Sequence, residues 1–414
     1  MCNFVPGQAI AIGPISGLRE IGRDLPGRLG PVMPLINEEE GNDRNTELSR
    51  LGTVVLKTDP GLELYAVSRL SARLSALIEK NEAAVDVNHI LPLAAVEPLS
   101  DTSLRFSPHA EREASIVRQL LRSALPPPDS RPGPLRIAVL DSGLIRDFSA
   151  HRELRYFDYS INGQLRRDAE PADPSGHGTR VVSIFDQILP PHVELSVGRL
   201  PSDSLTALTI ARALGDIIAR EMPDVVNLSV SLRNDWFFCS RCKQRVLAPT
   251  FLTSILPLVM RLGGKNAVRT LTVMAAGNSG QIPNSRWLTE DLDTLLFAIA
   301  ENRHHERARY SSAPDGPLGD LYSASAFGGD DPEDPDAQGV FIDGAHGTSF
   351  AAPFVSAVAL LTKHFDIPMT HGIPTQIGYL TRKVIENARE GRFAQYRAKE
   401  KPANTDYSDP LSSK

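Results

Sequence analysis

The chain has 414 residues, 41% of them apolar and 23% charged, with 44 Lys and Arg against 50 Asp and Glu for a net charge of −6. That length holds two or three domains with a real core, and the composition excludes a mostly disordered or collagen-like chain. No run of 18 apolar residues is present to span a membrane, and the mildly acidic balance gives no footprint for nucleic acid. The start, MCNFVPGQAI, lacks the basic and long apolar segments of a secretory leader. Three cysteines, at 2, 239 and 242, are too few for a disulfide scaffold. Together these predict a reducing, cytoplasmic location.

Residues 36–50 are polar and predict an exposed loop. GTVVLKT (52–58) and LELYAV (62–67) predict strands around the turn Asp59-Pro60-Gly61. Leu70, Leu74, Leu77 and Ile78 recur at helical spacing, and Val85, Val87 and Ile90 predict another strand. Ser107-Pro108 starts a helix with the apolar stripe Ala110, Ala114, Val117 and Leu121. PPPDSRPGP (126–134) has five prolines in nine residues and predicts a linker. The regions before and after it are read as a small α+β domain (1–125) and a larger domain (135–391), with a polar, disordered tail (392–414).

After the linker the pattern alternates. Strands at 135–140, 194–200, 224–230, 270–276 and 295–300 are interleaved with helices at 177–189, 204–221, 246–262 and from Thr348. A last helix carries Ile377, Leu380, Val384 and Ile385 on one face. This predicts an α/β fold, a mainly parallel sheet with helices on both faces.

Four segments carry chemistry. Asp141 ends the first strand of the larger domain in VLDSG, and His177 lies in SGHGT at a helix start. Asn278 follows a strand in AAGNSG, and Ser349 lies in GTSFAAP at another helix start. The ends of parallel strands are where such sheets place reacting groups. A serine at a helix N-terminus meets unpaired N–H groups suited to an oxyanion. It needs a base, which His177 supplies, and the base needs a carboxylate, which Asp141 supplies. Asn278 offers an amide donor to the oxyanion.

The order Asp, His, Ser with AAGN between them resembles the subtilisin-like serine proteases over roughly 135–390. The resemblance implies Ser349 as nucleophile, His177 as general base and acid, Asp141 as orienting carboxylate, and Asn278 with the Ser349 N–H as oxyanion hole. It further implies that a peptide substrate adds a strand beside Ser229, Val230 and Ser231, with Ala275, Ala276 and Gly277 also in the binding cleft. Ser231 stands where the family has a glycine, which implies a narrowed primary pocket. Phe354 follows Pro353 where histidine is frequent, and a packing role is expected of it. Arg180 replaces a common histidine after GHGT. FVPGQAIAI (4–12) and the segment from 62 resemble the family's propeptide, which implies an inhibitory N-terminal domain cut from the peptidase between Arg122 and Leu135. The expected partners are protein or peptide substrates and a regulatory protein, with no membrane or nucleic acid.

No cofactor is expected for the chemistry. The acidic run 328–339 is read as a solvated loop, with structural calcium as the alternative. Cys239 and Cys242 have the spacing of half a zinc site, with His304 and His305 as distant helpers, but read as a surface insertion. Cys2 as an N-terminal nucleophile of the amidotransferase kind lacks the rest of such a site. The second reading of the whole chain is a catalytically silent subtilase scaffold that binds peptide or regulates.

Overall fold

Alternation along the first strand sets the architecture of the N-terminal region. In β1 (Phe4–Pro14), Ala9 and Ala11 share one face and Ile10 and Ile12 the other, and all four are fully buried. A strand buried on both faces needs a layer on each side. The computed structural model describes residues 4–21, 25–36, 49–90, 104–125, 133–166, 168–202, 205–230, 237–238, 245–246, 255–256, 258–259, 270–280, 294–314, 319, 322–364 and 376–392.

After β1 come the short helix α1 (Ile15–Arg19) and the strands β2 (Arg28–Leu29), β3 (Met33–Pro34) and β4 (Leu51–Lys57). Helices α2 (Glu63–Arg73) and α3 (Ser75–Glu79) lead to β5 (Ala84–His89). β1 lies between β4 and β5, antiparallel to both, while β2 and β3 pair with β4. Ala9 and Ala11 pack with Leu18, Ala66, Leu70 and Leu74 of the local helices.

LELYAV is helix, not strand. Buried Ala66 and Leu70 follow Glu63 at helical spacing, leaving Leu64 and Tyr65 exposed. The buried Glu63 carboxylate starts the helix by accepting from Gly61 N (2.8 Å) and Gly7 N (2.7 Å).

The second region begins with α4 (Pro108–Ala124), capped by Ser107 Oγ on Ala110 N at 3.3 Å. Then follow β6 (Leu135–Asp141), β7 (Leu154–Ile161), β8 (Gln164–Arg166), α5 (His177–Ile188), β9 (Val193–Arg199) and α6 (Ala207–Glu221). Next are β10 (Val225–Leu228), the hairpin β11 (Phe237–Phe238) and β12 (Arg245–Val246), β13 (Leu271–Ala275), β14 (Leu295–Glu301) and β15 (Ser323–Phe327). Helices α7 (Thr348–His364) and α8 (Gln376–Arg389) close the domain.

The main sheet has eight strands in the order β15-β14-β13-β10-β6-β9-β7-β8, all parallel except the hairpin β7–β8. Along β6, Ile137 and Val139 face α4, α5, α7 and α8, while Ala138 and Leu140 face α6 and Ile255–Leu256. Helices thus cover both faces, as the alternation predicts. The sequence reading passed over β7, β8 and β15. The turn of the β7–β8 hairpin is Asn162-Gly163, both at positive φ (53° and 73°), a known short-hairpin signal. Among the described residues no helix is long and apolar enough to cross a membrane.

The two regions share a core. Ile10, Ile12, Leu35 and Ile36 of the N-terminal sheet pack with Ile210, Ala211 and Leu214 of α6. Arg212 Nη2 donates to the fully buried Thr53 Oγ1 (2.7 Å), and Leu208 N donates to Asn88 Oδ1 (3.3 Å). Ile90 forms an antiparallel bridge with Thr206. One boundary differs from the sequence reading. The stripe of α4 packs against α5, α7 and α8, not the N-terminal sheet, and Arg389 of α8 binds Glu113 of α4 at 3.0 Å. Helix α4 therefore sits with the peptidase-like sheet although it precedes the proline-rich segment. Most of that segment and the tail 393–414 lie outside the described residues.

Candidate active site

Three glycines bring the site together. Gly143 follows Asp141 and Ser142 at φ +124°, and a Cβ there would lie 2.0 Å from Ala172 O. A Cβ on Gly178 would lie 2.3 Å from Gly143 O. The loop after β6 and the start of α5 therefore interlock through their backbones, which seats His177 over Asp141. Gly176 enters the helix at φ +72°.

His177 Nδ1 lies 2.7 Å from Asp141 Oδ1, and His177 Nε2 lies 2.8 Å from Ser349 Oγ. The carboxylate is an acceptor, so Nδ1 carries the proton and Nε2 accepts from the hydroxyl. Asp141 Oδ1 also accepts from Ser142 N at 2.7 Å. The imidazole packs on Phe350, ring centroids 5.2 Å apart. Asp141 and His177 have no exposed surface, and Ser349 is 3% exposed. This arrangement can move a proton off the hydroxyl and stabilise the imidazolium that forms.

Asn278 is exposed and its amide orientation is fixed. Its Oδ1 accepts from Thr348 N (2.9 Å) and Thr348 Oγ1 (2.9 Å), so Nδ2 is the free donor end. A Cβ on Gly347, at φ +152°, would lie 2.9 Å from Asn278 Nδ2 and 3.3 Å from Ser349 Oγ. The space between the Asn278 amide and the Ser349 hydroxyl is open because residue 347 is a glycine. Ser349 stands in the first turn of α7, where the helix leaves its own N–H unpaired.

Ser229 and Val230 are buried at the end of β10, and Asn227 Nδ2 donates to Ser229 Oγ (2.9 Å) while its Oδ1 accepts from Ser356 Oγ (3.1 Å). Ala275, Ala276 and Gly277 run on from β13 and are buried, with Gly277 N donating to Thr348 Oγ1 at 3.0 Å. Ser231, Cys2, Cys239 and Cys242 lie outside the described residues. Phe354 is buried in the core beside α4 and α5, the packing role expected of it. Arg180 is buried, with Nη2 on Asp343 Oδ2 at 2.6 Å. The acidic run is not a solvated loop throughout. Asp330 and Asp331 are buried, and accept from Arg303 N (2.8 Å) and Arg309 N (2.6 Å).

Two residues at the site escaped the sequence reading. Asp173 accepts from Gly176 N, Thr179 N, Thr179 Oγ1 and Ser142 Oγ at 2.7–2.9 Å, tying the Asp141 loop to the His177 helix. Its signal is an acidic residue just ahead of a helix start. Thr348 clamps Asn278, as above.

A family model described as the subtilase family matches residues 134–391. The chain belongs to the subtilase family. These are serine proteases, and the subtilase domain here is a peptidase domain by that membership. No match to the chain was found among curated proteins. Among solved structures, the prenylagaramide maturation protease PagA is 21% identical with TM-score 0.37, covering 62% of this subtilase and 79% of that chain. A mutant of the protease domain of PatA is 20% identical with TM-score 0.39, covering 62% and 96%. MycP1, a serine protease described as an essential component of the type VII (ESX-1) secretion system, is 16% identical with TM-score 0.43, covering 70% and 85%.

Proposed function

We propose that this subtilase is a serine endopeptidase in which Ser349 attacks the peptide carbonyl, His177 takes and returns the proton, and Asp141 holds the imidazole in its tautomer. Asn278 Nδ2 and the Ser349 N–H stabilise the tetrahedral oxyanion. The observation that carries the reading is the position of His177, 2.7 Å from the carboxylate and 2.8 Å from the hydroxyl. A silent scaffold would have no need to keep all three groups in hydrogen-bond contact. The substrate backbone lies extended beside Ser229–Ser231. A serine at 231 narrows the primary pocket, so small and medium P1 side chains are preferred. Ser231→Gly is expected to shift a peptide-library profile toward larger residues, and a Phe or Tyr preference in the unmodified enzyme would contradict this.

The N-terminal domain restrains the enzyme in this reading. Ile10 and Ile12 hold the N-terminal sheet on α6. A cut within 126–134 would leave α4 on the wrong fragment, since its stripe is packed in the peptidase core. Any cut that frees the inhibitory domain falls between Ile90 and Ser107 instead. Ile12→Asp puts a charge in the apolar contact with α6, a substitution that costs several kcal/mol of docking by burial alone. Its expected outcome is faster hydrolysis of a fluorogenic peptide than the intact chain gives. Equal rates in the two would overturn restraint while leaving the peptidase assignment standing.

A further inference from the structure

We propose that His109, Glu113 and His305 form a divalent-metal site, best suited to zinc, that pins the first turn of α4 to the loop after β14. The cluster lies apart from Ser349 and has no part in the chemistry above. His109 and Glu113 stand four residues apart on α4 and so face the same side of the helix. His305 comes from the loop that follows β14. One ligand atom from each lies within 4.8 Å of the other two.

Three features make this more than a meeting of polar residues. His109 Nε2 is buried and has no hydrogen-bond partner among the described residues. A buried ring nitrogen left unpaired is costly unless something occupies it. His305 is at φ +62°, a conformation uncommon outside glycine, its N donates to Asn302 O at 3.0 Å, and its ring centroid lies 5.8 Å from that of His109. The orientation of Glu113 is likewise set: Oε2 accepts from Arg389 Nε (3.2 Å) and Nη2 (3.0 Å), and the other oxygen is assigned to the ion.

Two imidazoles and one carboxylate are a zinc donor set, with water completing a tetrahedron. Bonds of about 2.0–2.1 Å place tetrahedral ligand atoms about 3.3 Å apart, so the three side chains close on an ion by modest rotation. The consequence is mechanical. Just before α4, Ser107 N donates to Val340 O (3.0 Å) and Ile342 N donates to Arg105 O (2.9 Å). An ion at His109 would hold this start of the peptidase unit in place whether or not the chain ahead of it is cut.

The test uses the full chain carrying Ser349→Ala, to prevent self-cleavage, and Cys239→Ser with Cys242→Ser, to remove the thiols as competing ligands. The chelator-treated protein is titrated with zinc chloride by calorimetry at pH 7.5. One equivalent is expected to bind and to raise the melting temperature. His305→Asn keeps a residue tolerant of positive φ on an exposed loop, and is expected to weaken binding at least about 10-fold, with His109→Ala doing the same. Absence of binding in the parent, or unchanged affinity in His305→Asn, would overturn the site.

Discussion

Ser349→Ala and His177→Ala are each expected to lower turnover of a peptide substrate by about 10⁶-fold, with little change in the binding of substrate. The size follows from the geometry. His177 bridges the other two groups, so removing either the base or the nucleophile ends the proton transfer and not merely one hydrogen bond. The same logic makes the effects non-additive: the double variant should be about as slow as each single one. Steady-state kinetics on the chain opened by Ile12→Asp reads this directly. A Ser349→Ala protein with full peptidase activity would remove the serine mechanism.

Asn278→Ala is expected to lower turnover by about 10²–10³-fold, the effect of losing one oxyanion donor, while the Michaelis constant stays near its original value. The Thr348 clamp adds a more specific expectation. Thr348 Oγ1 donates to Asn278 Oδ1 and accepts from Gly277 N, each near 3 Å. Thr348→Val keeps the shape and removes both bonds, so it should lower turnover in the same direction by a smaller factor, on the order of 10-fold, by loosening the amide. Asn278→Ala combined with Thr348→Val should then be no worse than Asn278→Ala alone. Additive losses in that cycle would show that Thr348 acts on something other than Asn278.

Much of this molecule is legible in its residues because strands buried on both faces read as apolar runs. LRIAVL, LLFAIA and TLTVMAA gave β6, β14 and β13 to within a residue or two. β15, SASAF, is too small and polar to stand out, and the charged edge hairpin of β7 and β8 has no such run. LELYAV misled because its alternation over six residues is shorter than a helical turn pattern needs, and the cap from Glu63 is made to backbone amides of Gly61 and the distant Gly7. The stripe on α4 announces an amphipathic helix but not which core it covers. That depends on contacts far along the chain, the apolar ones with α5, α7 and α8 and the pair of Glu113 with Arg389 across 276 residues.

At the site, the groups with reactive atoms were legible, since Asp, His, Asn and Ser in glycine-flanked motifs carry their chemistry in the side chain. Asp173 and Thr348 were not, because Asp173 accepts from backbone N–H groups and hydroxyls of the Asp141 loop and the His177 helix and Thr348 orients the Asn278 amide. Such roles depend on which loops meet. The cluster of His109, Glu113 and His305 was hidden for the same reason, its members coming from the first turns of α4 and from the loop after β14.

If His177 activates Ser349, a small fluorophosphonate added to the chain opened by Ile12→Asp should form its adduct at that serine. Peptide mass spectrometry should find a single phosphonyl group, on Ser349, and none when His177→Ala is added. An unmodified Ser349 under conditions that fully modify a control serine protease, or equal labelling without His177, would rule out a serine activated by that histidine.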